Sequence, residues 1–159
     1  MELDTSHPFG TESPPRELTA FLIDFNTGRY HEAHDALEPL WLQQRSSAPA
    51  RFYQALIQLA GAFVLLRKHS PSKPRIHPAC RLLALAREKI QPFGSLHAGL
   101  NARKALDTID SWLHRLTSLA PDADPWEGLQ PPRLEFEPQA PSHPGLPCKS
   151  PGVADDRCL

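Results

Sequence analysis

Between Gly28 and Gly61 the chain gathers the residue types that can do chemistry. The run Tyr30-His31-Glu32-Ala33-His34-Asp35-Ala36-Leu37-Glu38 supplies imidazoles and carboxylates, and a charge-free stretch from Phe52 to Leu66 carries Gln54 and Gln58. A helical turn takes about 3.6 residues, so side chains four apart are neighbours. His34 then shares a face with Glu38, His31 lies one turn from Asp35 beside it, and Gln54 shares a face with Gln58. An imidazole and a carboxylate one turn apart form a donor pair for a divalent ion, as helical metal sites use. His69, His77, Asp107 and Asp110 are the obvious sources of further ligands. The commoner meaning of such a group is a hydrogen-bond network, here His34-Glu38-Gln58, that satisfies polar atoms between two helices.

Gln54 and Gln58 are informative because of their surroundings. A buried amide without a partner costs about 1–3 kcal/mol, so each Gln in so apolar a helix should face a polar neighbour, with the preceding helix the nearest source. Trp41 and Tyr53 can wall the same pocket. Glu32 falls off the His34-Glu38 face and is expected to pair with Arg29 or Arg51. If the site is catalytic, Glu38 or His34 is the general base or metal ligand, and hydrolysis is the reaction class to test first. Cys80 has no sequence context for an activated thiolate and reads as a structural cysteine. The cluster Arg67-Lys68-His69 with Lys73 and Arg75 complements a helix C-terminus more simply than it suggests a phosphate site. Neither a glycine-rich phosphate loop nor a nucleotide fingerprint is present.

The elements that must position these residues are helices. Of 18 prolines, nine lie between Pro121 and Pro151, which sets off a domain over residues 16–120 from an N-terminal segment, 1–15, and a tail, 121–159. Ser13-Pro14-Pro15 opens a first helix with Leu18, Phe21, Leu22 and Phe25 at helical spacing, and Asn26-Thr27-Gly28 closes it. A second helix is expected over Tyr30 to Gln44 with a kink at Pro39, and a third over Ala50 to His69, apolar on most faces and therefore central. Two more follow, over His77 to Ile90 and Asn101 to Leu119. The expected architecture is an all-α, five-helix bundle around a central apolar helix, with a flexible acidic N-terminal segment and a Pro-rich C-terminal segment. In the tail, Trp126, Leu129, Leu134 and Phe136 can dock on the bundle. The last twenty residues are expected to be extended or disordered.

The near-neutral total, 17 Lys and Arg against 18 Asp and Glu, hides a basic core between acidic ends. The three cysteines, Cys80, Cys148 and Cys158, are too few and scattered for a disulfide framework, and no secretory leader pattern opens the chain. A cytoplasmic setting is expected. The run Phe52 to Leu66 falls short of the roughly 20 residues that span a bilayer, so no membrane partner is expected.

The phrases Phe25-Asn-Thr-Gly28-Arg-Tyr30-His-Glu32-Ala33-His34-Asp35-Ala-Leu37-Glu38-Pro-Leu-Trp41 and Phe52-Tyr-Gln54-Ala-Leu56-Ile57-Gln58-Leu59-Ala60 resemble the bacterial and plastid family catalogued as domain of unknown function 309. The resemblance covers about Leu18 to Leu116. It implies a small all-α domain and carries no established activity. Its motif positions map to Glu32, His34, Asp35, Glu38, Trp41, Gln54 and Gln58. Asp35 stands where Glu is usual, Pro39 where a helix former is usual and Ala55 where Gly is usual; His31 lies outside the pattern.

The leading expectation is a ligand pocket lined by His34, Glu38, Trp41, Gln54 and Gln58. It would take a small molecule or a divalent metal held by His34 and Glu38. The rival is a non-catalytic interaction module in which these residues are structural and the basic end near Arg67 to Arg75 meets an anionic partner. Nucleic acid is the less favoured such partner.

Overall fold

The computed structural model describes residues 13–137. The expectations for the acidic N-terminus up to residue 12, for the last twenty residues, and for Cys148 and Cys158 fall outside that range. Five helices run in chain order: α1 Arg16–Asn26, α2 Tyr30–Gln43, α3 Ala48–Arg67, α4 Ile76–Ile90 and α5 Ala102–Thr117. Each packs chiefly against its neighbours in sequence, with α3 clasped between α2 and α4.

Local chemistry explains the helix ends. Pro15, not Ser13, occupies the position before α1, and its carbonyl accepts from the Leu18 and Thr19 amides at 3.0 and 3.1 Å. Leu18, Phe21, Leu22 and Phe25 form the buried stripe of α1. The helix closes at Gly28, whose φ of +79° is a conformation that costs a residue with a Cβ about 1–2 kcal/mol. Arg29 then pairs with Asp24 across the turn, and Arg51 with Glu88, so among the described residues neither pairs with Glu32 as expected.

Pro39 lies on the exposed side of α2, and the helix continues through it to Gln43. Pro49 sits in the first turn of α3, where its missing N–H is not needed, so that helix starts two residues earlier than expected. At 20 residues α3 is long and apolar enough to cross a membrane by length and composition, but 61% of its most apolar window is buried inside this fold. Leu56, Leu59, Ala60 and Phe63 are fully buried.

Between α4 and α5 the all-helical expectation needs correction. A 3₁₀ turn at Gln91–Phe93 leads into an antiparallel hairpin, β1 Leu96–His97 and β2 Leu100–Asn101. Its two-residue loop puts Ala98 at φ +50° and Gly99 at φ +81°, the pair of positive values that a type I′ hairpin turn requires. Strands of two residues are too short to show period-two alternation, which is why the sequence pattern hides them. Asn101 then caps α5, its Oδ1 accepting from the Lys104 amide at 2.8 Å.

Beyond α5 the chain, without forming another helix, returns across the bundle to residue 137 as a strap. Leu134 is buried, and Trp126, Leu129 and Phe136 pack half-buried on the core. Trp126 joins an aromatic cluster with Tyr30, Phe63 and Trp112, centroids 5.0–6.1 Å apart.

Two outcomes follow. A Cβ at residue 28 would lie 2.9 Å from Arg67 Nη2, so Gly28→Ala should cost about 1–3 kcal/mol in urea unfolding, and the cost should shrink in an Arg67→Ala background, where only the backbone strain remains. His97 lies between Phe52 and Phe93, centroids 4.6 and 4.5 Å away, and burial lowers its pKa from 6.5. Its neutral form is the one the fold favours, so its contribution is full above about pH 6.5 and is lost as pH falls through the lower folded value. Melting temperature should drop between pH 7 and 5 more in the native chain than in His97→Gln.

Candidate functional site

The phase of α2 is set by what it buries. Tyr30, Ala33, Leu37 and Leu40 point into the core, which turns His31, His34, Asp35 and Glu38 toward the opposite side. There His34 Nδ1 lies 3.1 Å from Asp35 Oδ1, and His31 Nδ1 lies 3.1 Å from Asp35 Oδ2. One short carboxylate is thus held between two imidazoles. His34, Asp35 and Glu38 each offer a donor atom within 4.8 Å of the others, with His34 and Glu38 half-buried and Asp35 exposed. Trp41 follows one turn on, half-buried, with the Arg45 guanidinium 5.0 Å above its ring.

Gln54 and Gln58 both sit half-buried on α3. Gln58 Oε1 accepts from Lys89 Nζ of α4 at 2.9 Å. Burial lowers the Lys89 ammonium pKa; the Glu88 charge works against that and the Arg51 charge with it. The amide of Gln58 is therefore committed toward α4, whereas the sequence pointed to α2 as its partner. Among the described residues no hydrogen bond joins His34 or Glu38 to either glutamine, and Gln54 makes none. The surface depression at the α2–α3 turn runs from Leu42 to Pro49, and none of the five expected pocket residues lines it.

The residues considered as extra ligands stand elsewhere. Asp110 is bound by Arg87, Nε to Oδ1 at 2.6 Å, and His69 Nδ1 accepts from the Arg75 amide at 3.0 Å. His77 and Asp107 are exposed and outside the three-residue donor group. In the basic cluster, Arg67 lies over the Tyr30 and Trp126 rings, 5.6 and 4.9 Å from their centroids. Arg67, Lys68 and Lys73 are its exposed bases, beside a half-buried Arg75, and of the three Arg67 is engaged with those rings. Cys80 is a free, half-buried thiol whose pKa burial raises, an environment that disfavours the reactive thiolate.

Two residues gain weight from the geometry. Asp35 becomes the link between imidazoles, and its four-residue spacing from His31 was the signal for half of that role. Lys89 is not visible as a site residue in the sequence, because Arg87-Glu88-Lys89 reads as an ordinary charged last turn of a helix.

A family model described as domain of unknown function (DUF309) matches residues 18–75. No curated protein matches the chain. Gly28 and Tyr30, which open the family-like phrase, are explained structurally, by the positive φ of the turn and by the aromatic core.

The two glutamines should separate in a stability assay. Removing the acceptor of a half-buried ammonium in Gln58→Ala should cost about 1 kcal/mol in chemical unfolding, whereas Gln54→Ala, with no bond to lose, should stay within about 0.5 kcal/mol of the native chain.

Proposed function

We propose that, on the helical domain whose residues 18–75 match the DUF309 model, the His34, Asp35 and Glu38 face of α2 binds a divalent metal ion whose remaining coordination positions are open to solvent. The observation that carries this reading is the convergence of three donor atoms within 4.8 Å on one helix face. Donors around a single ion with bonds of about 2.1 Å stand roughly 3–4 Å apart. Modest rotations of these solvent-accessible side chains close the difference.

The mixed nitrogen and oxygen set suits zinc, manganese or ferrous iron better than calcium or magnesium. Asp35, 3.1 Å from His34 Nδ1, would turn from that imidazole to the ion, so that all three side chains coordinate. An ion held by so few protein groups keeps places for water and for a small molecule. It would supply a water of lowered pKa or a polarised substrate oxygen, which makes hydrolysis the reaction class to assay. The small-molecule partner would approach from solvent. Glu38, the half-buried carboxylate of the set, is the natural choice for a ligand, with His34 beside it.

Metal analysis of protein purified without chelator, followed by calorimetric titration with zinc and manganese, tests the reading. One equivalent should bind, His34→Ala and Glu38→Gln should each weaken binding by at least about tenfold, and Gln54→Ala should leave it unchanged. Absence of any bound ion, together with a large fall in melting temperature for His34→Ala, would instead establish the cluster as wiring within a non-catalytic module.

A further inference from the structure

The strap is held in a way that differs from the rest of the core. The Asn26 side chain donates through Nδ2 to the Leu134 carbonyl and accepts through Oδ1 from the Leu134 amide, both at 2.8 Å, as a neighbouring strand would. Farther on, the Asn101 amide donates to the Glu135 carbonyl and the Glu137 amide to the Gly99 carbonyl, each at 2.9 Å. Leu100 and Phe136 thereby form an antiparallel bridge, and the strap adds a short third strand beside β2. Its side chains alternate as a strand's do: Leu134 and Phe136 turn inward, Glu135 and Glu137 outward. Main-chain pairing for affinity and alternate side-chain pockets for selectivity is how sheet edges capture extended peptides.

The other end of the strap is an anchor. Trp126 Nε1 donates to the Leu66 carbonyl in the last turn of α3 at 3.2 Å, and the Arg67 guanidinium lies over the indole. Beneath it the ring of Tyr30 stacks at 6.1 Å, with its buried hydroxyl under the influence of the same Arg67 guanidinium. Pro125 presets the turn that carries Trp126, and Pro131 and Pro132 favour the extended backbone that follows, which lowers the entropy lost on docking. Asn26, Tyr30, Phe63, Leu66 and Arg67 all lie within the family-matched segment, and the strap does not.

We propose that Asn26, Tyr30, Phe63, Leu66 and Arg67, with the edge of β2 that faces away from β1, form a docking groove for a peptide that presents a tryptophan on a turn followed by a short extended segment, filled in cis here by residues 124–137. The strap is then a ligand on a tether, which opens without unfolding the bundle. This does not depend on the metal reading, which concerns the opposite face of α2.

Hydrogen exchange on the full native chain tests the opening. The amides of Leu134, Glu137 and Asn101 should exchange by a local route at least about tenfold faster than the Leu59 amide in α3; equal protection would mean that the strap leaves only on global unfolding, and would overturn the proposal. A labelled peptide of residues 122–137 tests the groove. It should bind the full-length Trp126→Ala chain saturably, and the native chain at least about tenfold more weakly because the tethered copy competes. Adding Asn26→Ala or Arg67→Ala to Trp126→Ala should abolish binding. If Trp126→Ala does not fold, Trp126→Phe, which keeps a ring and gives up the N–H, takes its place. No binding to the folded variant would overturn the groove, as would a concentration-dependent dimer of the native chain in which a second copy supplies the strap.

Discussion

The Arg67 guanidinium stands where the last turn of α3, the α1–α2 turn and the C-terminal strap converge, and the arrangement of each depends on it. The space it fills beside residue 28 exists because that residue has no Cβ. Its flat face lies over both the Tyr30 and Trp126 rings, a stacking for which lysine's compact ammonium is a poor substitute. Its charge also sits at the C-terminus of a 20-residue helix, where the macrodipole favours a cation. Burial raises the Tyr30 phenol pKa while the Arg67 charge moderates the rise, so the ring stays a neutral core element at ordinary pH. Tyr30 in turn fixes the rotation of α2 about its axis. With Tyr30, Ala33, Leu37 and Leu40 pinned inward, the imidazoles and carboxylates can only line the other side.

How much of this is legible in the sequence depends on how local the cause is. Helix ends set by proline or glycine are readable to within a few residues, since Pro15, Gly28 and Pro49 act on their own backbone. The Leu96–Asn101 hairpin is not, because its signal is one Gly99 beside an alanine forced to positive φ, and alanine advertises no such turn. The docking of Trp126, Leu129, Leu134 and Phe136 is legible as isolated apolar residues in a proline-rich stretch. Its fastener is not. Asn26 before Thr27-Gly28 reads as a turn former, and nothing nearby in sequence says that its amide bonds a backbone 108 positions away.

The same distinction runs through the polar cluster. Helical periodicity says which residues share a face, and that suffices to bring His34 beside Glu38. It does not say which neighbouring helix that face meets. Gln58 could have turned toward α2 or α4, and the choice fell to Lys89, whose half-buried ammonium needs an acceptor more than a neutral amide needs a donor. Periodicity also undervalues neighbours in sequence. Residues 34 and 35 are about 100° apart around the helix, yet imidazole and carboxylate meet at 3.1 Å because both leave the exposed surface with room to bend together.

Tyr30 and His31 therefore divide α2 into two faces with different constraints. The inner face is tied to Gly28, Arg67 and the aromatic cluster, where a change in one side chain is felt by the turn, the central helix and the strap together. The outer face touches little besides itself: Asp35 bonds the two imidazoles, and Glu38 waits beside them without a hydrogen bond among the described residues. A carboxylate satisfied only by solvent and flanking imidazoles gives up few contacts in rearranging around an ion, whereas an amide already bonded to Lys89 would have to surrender a hydrogen bond first. The donors free to reorganise are thus His34, Asp35 and Glu38 on the outside of α2, and Gln58 serves the packing of α3 on α4.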